Sequence, residues 1–289
     1  MKAKTFANPK SFVFVSIVAA AFIASIFFIQ NNPENEISVY DDEIPRAVII
    51  DQLYDEIPNP YFHQKATEYL EGAGYQVDIF TTENVTVDFY KNLPSMNYKF
   101  IVVRTHGAST HSSDSVTLFT GERYQEDKYI SEQLFGSVKR GAPLQVTMYN
   151  ASVGTVNAWI VVNETYKEMS IPFNQEIQTT DDYFLVTPKL VDEMMVGKFP
   201  DSIMLLGGCN TMEYPSLAKS LIKRGASTVV GWDNTVGDME NDIILLQVLE
   251  ETLVNNREIK NAVDLVMESY DWGNPHYDAK LKYYSKGNV

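Results

Sequence analysis

The chain has 289 residues, enough for one sizeable domain or two small ones, and its 45% hydrophobic and 12% aromatic content is that of a folded protein. A net charge of −15, with no basic stripe, argues against a nucleic-acid partner, which requires clustered Lys and Arg to displace counterions from phosphates. A single cysteine excludes an internal disulfide, and no Cys/His zinc spacing occurs.

Residues 11–29, SFVFVSIVAAAFIASIFFI, carry no charge and show no polar helical face. As a helix they would extend roughly 28 Å, close to the hydrocarbon thickness of a bilayer. Lys2, Lys4 and Lys10 precede the run, and Glu34, Glu36, Asp41, Asp42 and Glu43 follow it. The positive-inside rule therefore predicts a cytoplasmic segment 1–10, an uncleaved transmembrane helix over 11–29 and an extracytoplasmic remainder. A cleaved signal peptide is the alternative, although the run ends in large residues instead of small ones. Residues 30–45 are acidic, contain two prolines and read as a linker. The sequons at Asn84, Asn150 and Asn163 agree with an external location but are no more frequent than chance allows.

From residue 46 strands and helices alternate. RAVIID (46–51) is a first parallel strand. NPYFHQKATEYLEGAG places Phe62, Ala66, Tyr69, Leu70 and Ala73 at helical spacing and stops at Gly72 and Gly74. YQVDIF is a second strand, VTVDFYKNLP a short helix ended by Pro94, and YKFIVVRT (98–105) a third strand running straight into His106-Gly107. The stretch 111–181 breaks the alternation: SVTLFTGERY, PLQVTMYN and VNAWIVVN read as β-hairpin strands inserted over one edge. Next comes YFLV, then a helix with Thr187 as N-cap and Pro188 at its first position. DSIMLLGG is strand four, YPSLAKSLIKRGA a helix, STVVGW strand five, and DMENDIILLQVLEETLVNN and EIKNAVDLVMESY the last two helices. Residues 273–289 are expected to be a C-terminal tail. Such alternation predicts an α/β domain over 46–272, its mainly parallel sheet covered on both faces. No glycine-rich phosphate loop follows RAVIID, which speaks against a flavodoxin-like cofactor-binding domain, and no cofactor is expected.

In an open parallel sheet chemistry collects at the carboxyl ends of the strands. His106-Gly107 ends strand three and Gly208-Cys209 ends strand four, about a hundred residues later, so the topology brings them to one rim. A thiol there serves as a nucleophile once it is a thiolate, and a helix N-terminus or a cationic histidine lowers its pKa. Taken alone, Cys209 also reads as a small hydrophobe at a strand end. The remaining histidines attract less attention: His63 lies in a helix, His276 in the tail and His111 in a Ser-rich loop. A His106–His111 metal pair lacks carboxylate support, and no metal is expected.

A strand ending in His-Gly followed by one ending in Gly-Cys resembles the caspase-like cysteine peptidases, which include caspases, legumains, gingipains, separases and the CHAT peptidases. SLAKSLIKRGASTVVGWDNTVGD is similar to the CHAT and separase pattern of a helix, Gly-Ala, an apolar strand and then Trp-Asp. The resemblance covers about residues 46–255, and the whole chain looks like a membrane-anchored archaeal branch of this group. It implies a three-layer caspase-like fold with inserted β-hairpins, attached here to an N-terminal transmembrane helix. It further implies a cysteine endopeptidase in which His106 and Cys209 are catalytic and the N–H groups of Gly107 and Cys209 form the oxyanion hole. Trp232, Asp233 and Asp238 are the candidate substrate-binding residues, a carboxylate at 233 or 238 selecting a basic side chain. Asp233 reads equally well as a helix cap. The expected partners are a peptide or protein substrate and the membrane. A surface module that binds peptides or envelope components without catalysis is the competing reading. No processing linker follows Cys209, which speaks against caspase-type maturation.

Overall fold

A computed structural model describes residues 44–141, 155–162, 165–172, 182–269 and 278–287, the hairpin 155–172 as backbone only. The apolar run 11–29, the stretch PLQVTMYN and His276 lie outside the described residues. Among the described residues no helix is long and apolar enough to cross a membrane.

The central sheet has six strands in the order β12-β11-β10-β3-β1-β2. β1 (Arg46–Asp51), β2 (Gln76–Thr81), β3 (Tyr98–Arg104), β10 (Ile203–Gly207) and β11 (Thr228–Trp232) are parallel neighbours, and β12 (Leu281–Ser285) is antiparallel to β11. These parallel strands match the five expected from sequence. β12 corrects the assignment of residues 273–289 to a tail. LKYYS is too short and too mixed to announce a strand, and it is one only because Trp232 pairs with Leu281 across an otherwise open edge.

Both faces of the sheet are covered. Val48, Ile50, Ile101, Val103, Met204 and Leu206 pack with α2 (Val87–Asn92), α4 (Pro188–Glu193) and α5 (Ser216–Lys223). On the other face Ala47, Ile49, Phe100, Val102, Leu205 and Val230 pack with α1 (Pro60–Gly72), α6 (Asp238–Leu249) and α7 (Ile259–Ser269). Double burial is why these strands read as unbroken apolar runs instead of alternating ones. Helix boundaries follow local chemistry. Asn59 accepts the Phe62 N–H at 3.0 Å with Pro60 beside it, and Thr86 accepts the Phe89 N–H at 3.0 Å. Thr187 caps α4 as expected, with Pro188 at the first position. After α1 the chain turns at Gly74, whose φ of +88° is strained for any side chain.

The inserted strands do not extend an edge of the main sheet. β4 (Gly107–Thr110), β5 (Ser115–Arg123), β9 (Tyr183–Val186) and β6 (Val138–Gly141) form a separate antiparallel sheet, which leaves β3 from the middle of the carboxyl edge. A short helix, α3 (Ile130–Leu134), lies between β5 and β6. Val116, Leu118, Val138, Phe184 and Val186 join this sheet to the core beside α2, α4 and α5. The expected hairpin VNAWIVVN is β7 (Thr155–Val162), paired in register with β8 (Thr165–Pro172).

Candidate active site

β3 and β10 are direct neighbours in register, Arg104 opposite Gly207, and the Thr105 N–H donates to Gly207 O at 2.9 Å. His106-Gly107 and Gly208-Cys209 therefore leave the sheet side by side. The glycines decide how closely. A Cβ built at Gly107 would stand 2.2 Å from the carbonyl oxygen of Cys209, and one at Gly208 would stand 2.4 Å from the carbonyl oxygen of Thr105. Backbone meets backbone on both strands, which only residues without a Cβ permit.

The turn after β10 is stitched to its surroundings. Thr211 Oγ1 donates to Leu206 O at 3.1 Å and accepts the Trp232 N–H at 3.0 Å. Asn210 adopts φ +58°, its N–H donates to Asn234 O at 3.1 Å, and its amide nitrogen donates to Ser109 Oγ at 3.3 Å. Cys209 is thus held between β4 on one side and the β11–α6 loop on the other.

Cys209 is partly buried and its thiol donates to Val236 O at 3.4 Å. Burial pushes the thiol pKa up, and the negative charge of Asp238 pushes it the same way, against the hydrogen bond to Val236. This corrects the expectation of a thiol acidified by a helix dipole. The next helix begins only at Ser216, and a dipole acts within its own first turn. At neutral pH the resting residue is a thiol.

His106 is half-buried at the rim, its ring edge-on to Phe119, and its Nε2 stands 3.2 Å from Glu56 Oε2. Its backbone N–H donates to Gln52 Oε1 at 3.1 Å. Glu56 and Gln52 belong to the β1–α1 loop, and neither is announced by a motif. The signal available in sequence is the position of the acidic DQLYDEIP at the carboxyl end of β1, beside β3.

The three substrate-binding candidates separate. Asp238, in the first turn of α6, keeps an exposed face yet stands among crowded atoms. That crowding raises its carboxyl pKa; His106 and Arg104 pull it down, while Asp242 and Glu56 oppose them. It comes two residues after Val236, whose carbonyl accepts the Cys209 thiol at 3.4 Å, which sets it at the same rim. Asp233 faces the sheet edge instead. Its Oδ1 accepts the Lys280 N–H at 2.7 Å and its Oδ2 pairs with Lys282 Nζ at 3.0 Å, so its carboxylate secures the entry to β12. Trp232 is fully buried, and its indole N–H donates to Asn241 Oδ1 at 2.9 Å. It supports the rim from beneath and has no surface left for a substrate. Among the other histidines, His63 sits in α1 with Nε2 2.7 Å from Asp51, and the exposed His111 meets Tyr214 and Glu213. Asn84 of the first sequon is exposed. Among the described residues no cluster of His, Cys, Asp and Glu is placed to hold a metal ion. Neither a protein-family model nor a curated protein matches the chain.

Proposed function

We propose that the protein is a membrane-anchored, externally facing cysteine endopeptidase of the caspase-like type, with Cys209 as nucleophile and His106 as its proton partner. One observation carries this reading: the in-register pairing of β3 with β10, which sets His106-Gly107 and Gly208-Cys209 side by side at the carboxyl edge of a parallel sheet.

Because the resting thiol is protonated, attack on a scissile carbonyl couples to proton transfer. The Sγ–H proton passes to His106 as the carbon–sulfur bond forms. The oxyanion that develops is assigned to the backbone N–H groups of Gly107 and Cys209. Protonated His106, steadied by Glu56, then returns the proton to the leaving amine, and water releases the acyl group by the same route reversed. Asp238 is the carboxylate at hand to meet a basic substrate side chain by a charge-assisted hydrogen bond. The raised thiol pKa favours a second reading, a non-catalytic module on the same fold.

A peptide-library cleavage assay on the full-length protein separates the two. Catalysis predicts that Cys209→Ala and His106→Ala each abolish cleavage and that the double variant is scarcely worse, since residues acting as a unit are not additive. Absence of cleavage by the wild-type protein, with both variants folded and still binding peptide, would select the module. Protease added to intact cells tests the anchor: the chain after about residue 40 should be removed while an N-terminal tag stays protected.

A further inference from the structure

Beneath the rim lies a buried polar cluster that the proposed chemistry does not use. Arg104, the last residue of β3, is fully buried. Its guanidinium reaches three elements at once. Nε donates to Asp242 Oδ1 on α6 at 2.8 Å, and Nη1 donates to Asp51 Oδ1 at the end of β1 at 3.1 Å. Nη2 donates to the carbonyl of Ile57 in the β1–α1 loop at 2.7 Å. Burial alone would push the guanidinium pKa down, but the carboxylates of Asp242 and Asp51 outweigh it and hold the charge. The rest of the cluster is satisfied as well. Asp51 also accepts the Leu53 N–H and faces His63, while Asp242 also accepts from the side-chain amides of Asn59 and Asn241.

Two of these tethers bear on the rim. Ile57 directly follows Glu56, which meets His106, and Asp242 lies one helical turn beyond Asp238, which comes two residues after Val236, whose carbonyl accepts the Cys209 thiol at 3.4 Å. We infer that Arg104 is the positioning residue of the site: it fixes the β1–α1 loop and the first turn of α6 to the end of β3, so that Glu56 reaches His106 and Asp238 stays beside Cys209. The role requires a guanidinium. A lysine keeps the charge, but one ammonium on a flexible stem cannot bond in three fixed directions. The inference deepens the peptidase reading and rests on it for its meaning, yet the geometry is testable without any cleavage.

The single cysteine makes the test clean, because whole-protein mass after iodoacetamide treatment reports Cys209 alone. Alkylation of the full-length protein is followed against pH well below the melting temperature. Asp238→Asn removes the charge that raises the thiol pKa, so its profile moves to lower pH and defines the direction. Arg104→Lys should move the same way and alkylate at least about threefold faster than wild type at pH 8, as Asp238 and the loop are released. A purely structural arginine predicts a lower melting temperature with an unchanged profile, and that result would overturn the inference. Should Arg104→Lys fail to fold, the near-isosteric Asp51→Asn, which weakens the same clamp, is read by the same criterion. If the profile shifts but no variant or wild-type protein cleaves peptides, the positioning role stands and the peptidase reading fails. The reverse combination removes the positioning role alone.

Discussion

Replacing Gly107 with alanine tests the closest approach in the site. The added Cβ would stand 2.2 Å from the carbonyl oxygen of Cys209 and 3.0 Å from Thr211 Cγ2. Real contacts of this kind essentially never fall under 3.0 Å, so the two chains must separate by roughly 0.8 Å. The obstacle is backbone, and it cannot swing aside as a side-chain tip would. Close by, the Thr105 N–H to Gly207 O bond and the approach of Gly208 to Thr105 O resist the movement. Overpacking of this kind costs about 1–3 kcal/mol, and a rigid neighbour puts the cost at the upper end. For a domain of this size each kcal/mol lowers the melting temperature by about 2–4 °C, so a drop of about 6–12 °C is expected by circular dichroism. Gly72→Ala is the control. Nothing lies within 4 Å of that Cβ, and at the end of α1 alanine should leave the melting temperature unchanged or slightly raised. If Gly107→Ala melts within about 1 °C of wild type, the strand ends are not locked together and the glycine–glycine account of the rim is wrong.

Trp232→Phe keeps most of the buried ring but strips Asn241 Oδ1 of its indole donor. About 1–3 kcal/mol should be lost in urea unfolding, and a loss below about 0.5 kcal/mol would show that the bond contributes little. Glu132 pairs with Lys91 at 2.8 Å, and the hydrogen bond from Lys91 lowers its carboxyl pKa to about 2 from an ordinary 4.5. A depressed carboxylate contributes stability that is complete above about 4.5 and is lost as pH falls toward about 2. Glu132→Gln should thus be less stable than wild type at pH 6, by on the order of 1 kcal/mol after solvent screening. That gap should close as the pH falls from 4.5 to 2; a gap independent of pH would exclude the ion pair as its source.

Much of the architecture is written locally. The five parallel strands are legible because double burial demands apolar runs, and α4 is announced by Thr187 with Pro188 beside it. The juxtaposition of His106 with Cys209 is also legible, since strand ends in a parallel sheet share one edge. What a residue does at that edge is not. Trp232 and Asp233 sit beside the rim in sequence, but a buried indole bond and the pairing with β12 take them out of it. Glu56, Gln52 and Asn210 belong to loops whose paths depend on what they meet, so no spacing rule marks them. The thiol shows the limit most plainly. Sequence places Cys209 between a strand and a helix, which suggests an acidified nucleophile. Only the packed structure decides that burial and the charge of Asp238 push its pKa the other way. Strand identity follows from short-range pattern, whereas a pKa follows from charges and desolvation summed over neighbours that the fold alone brings together.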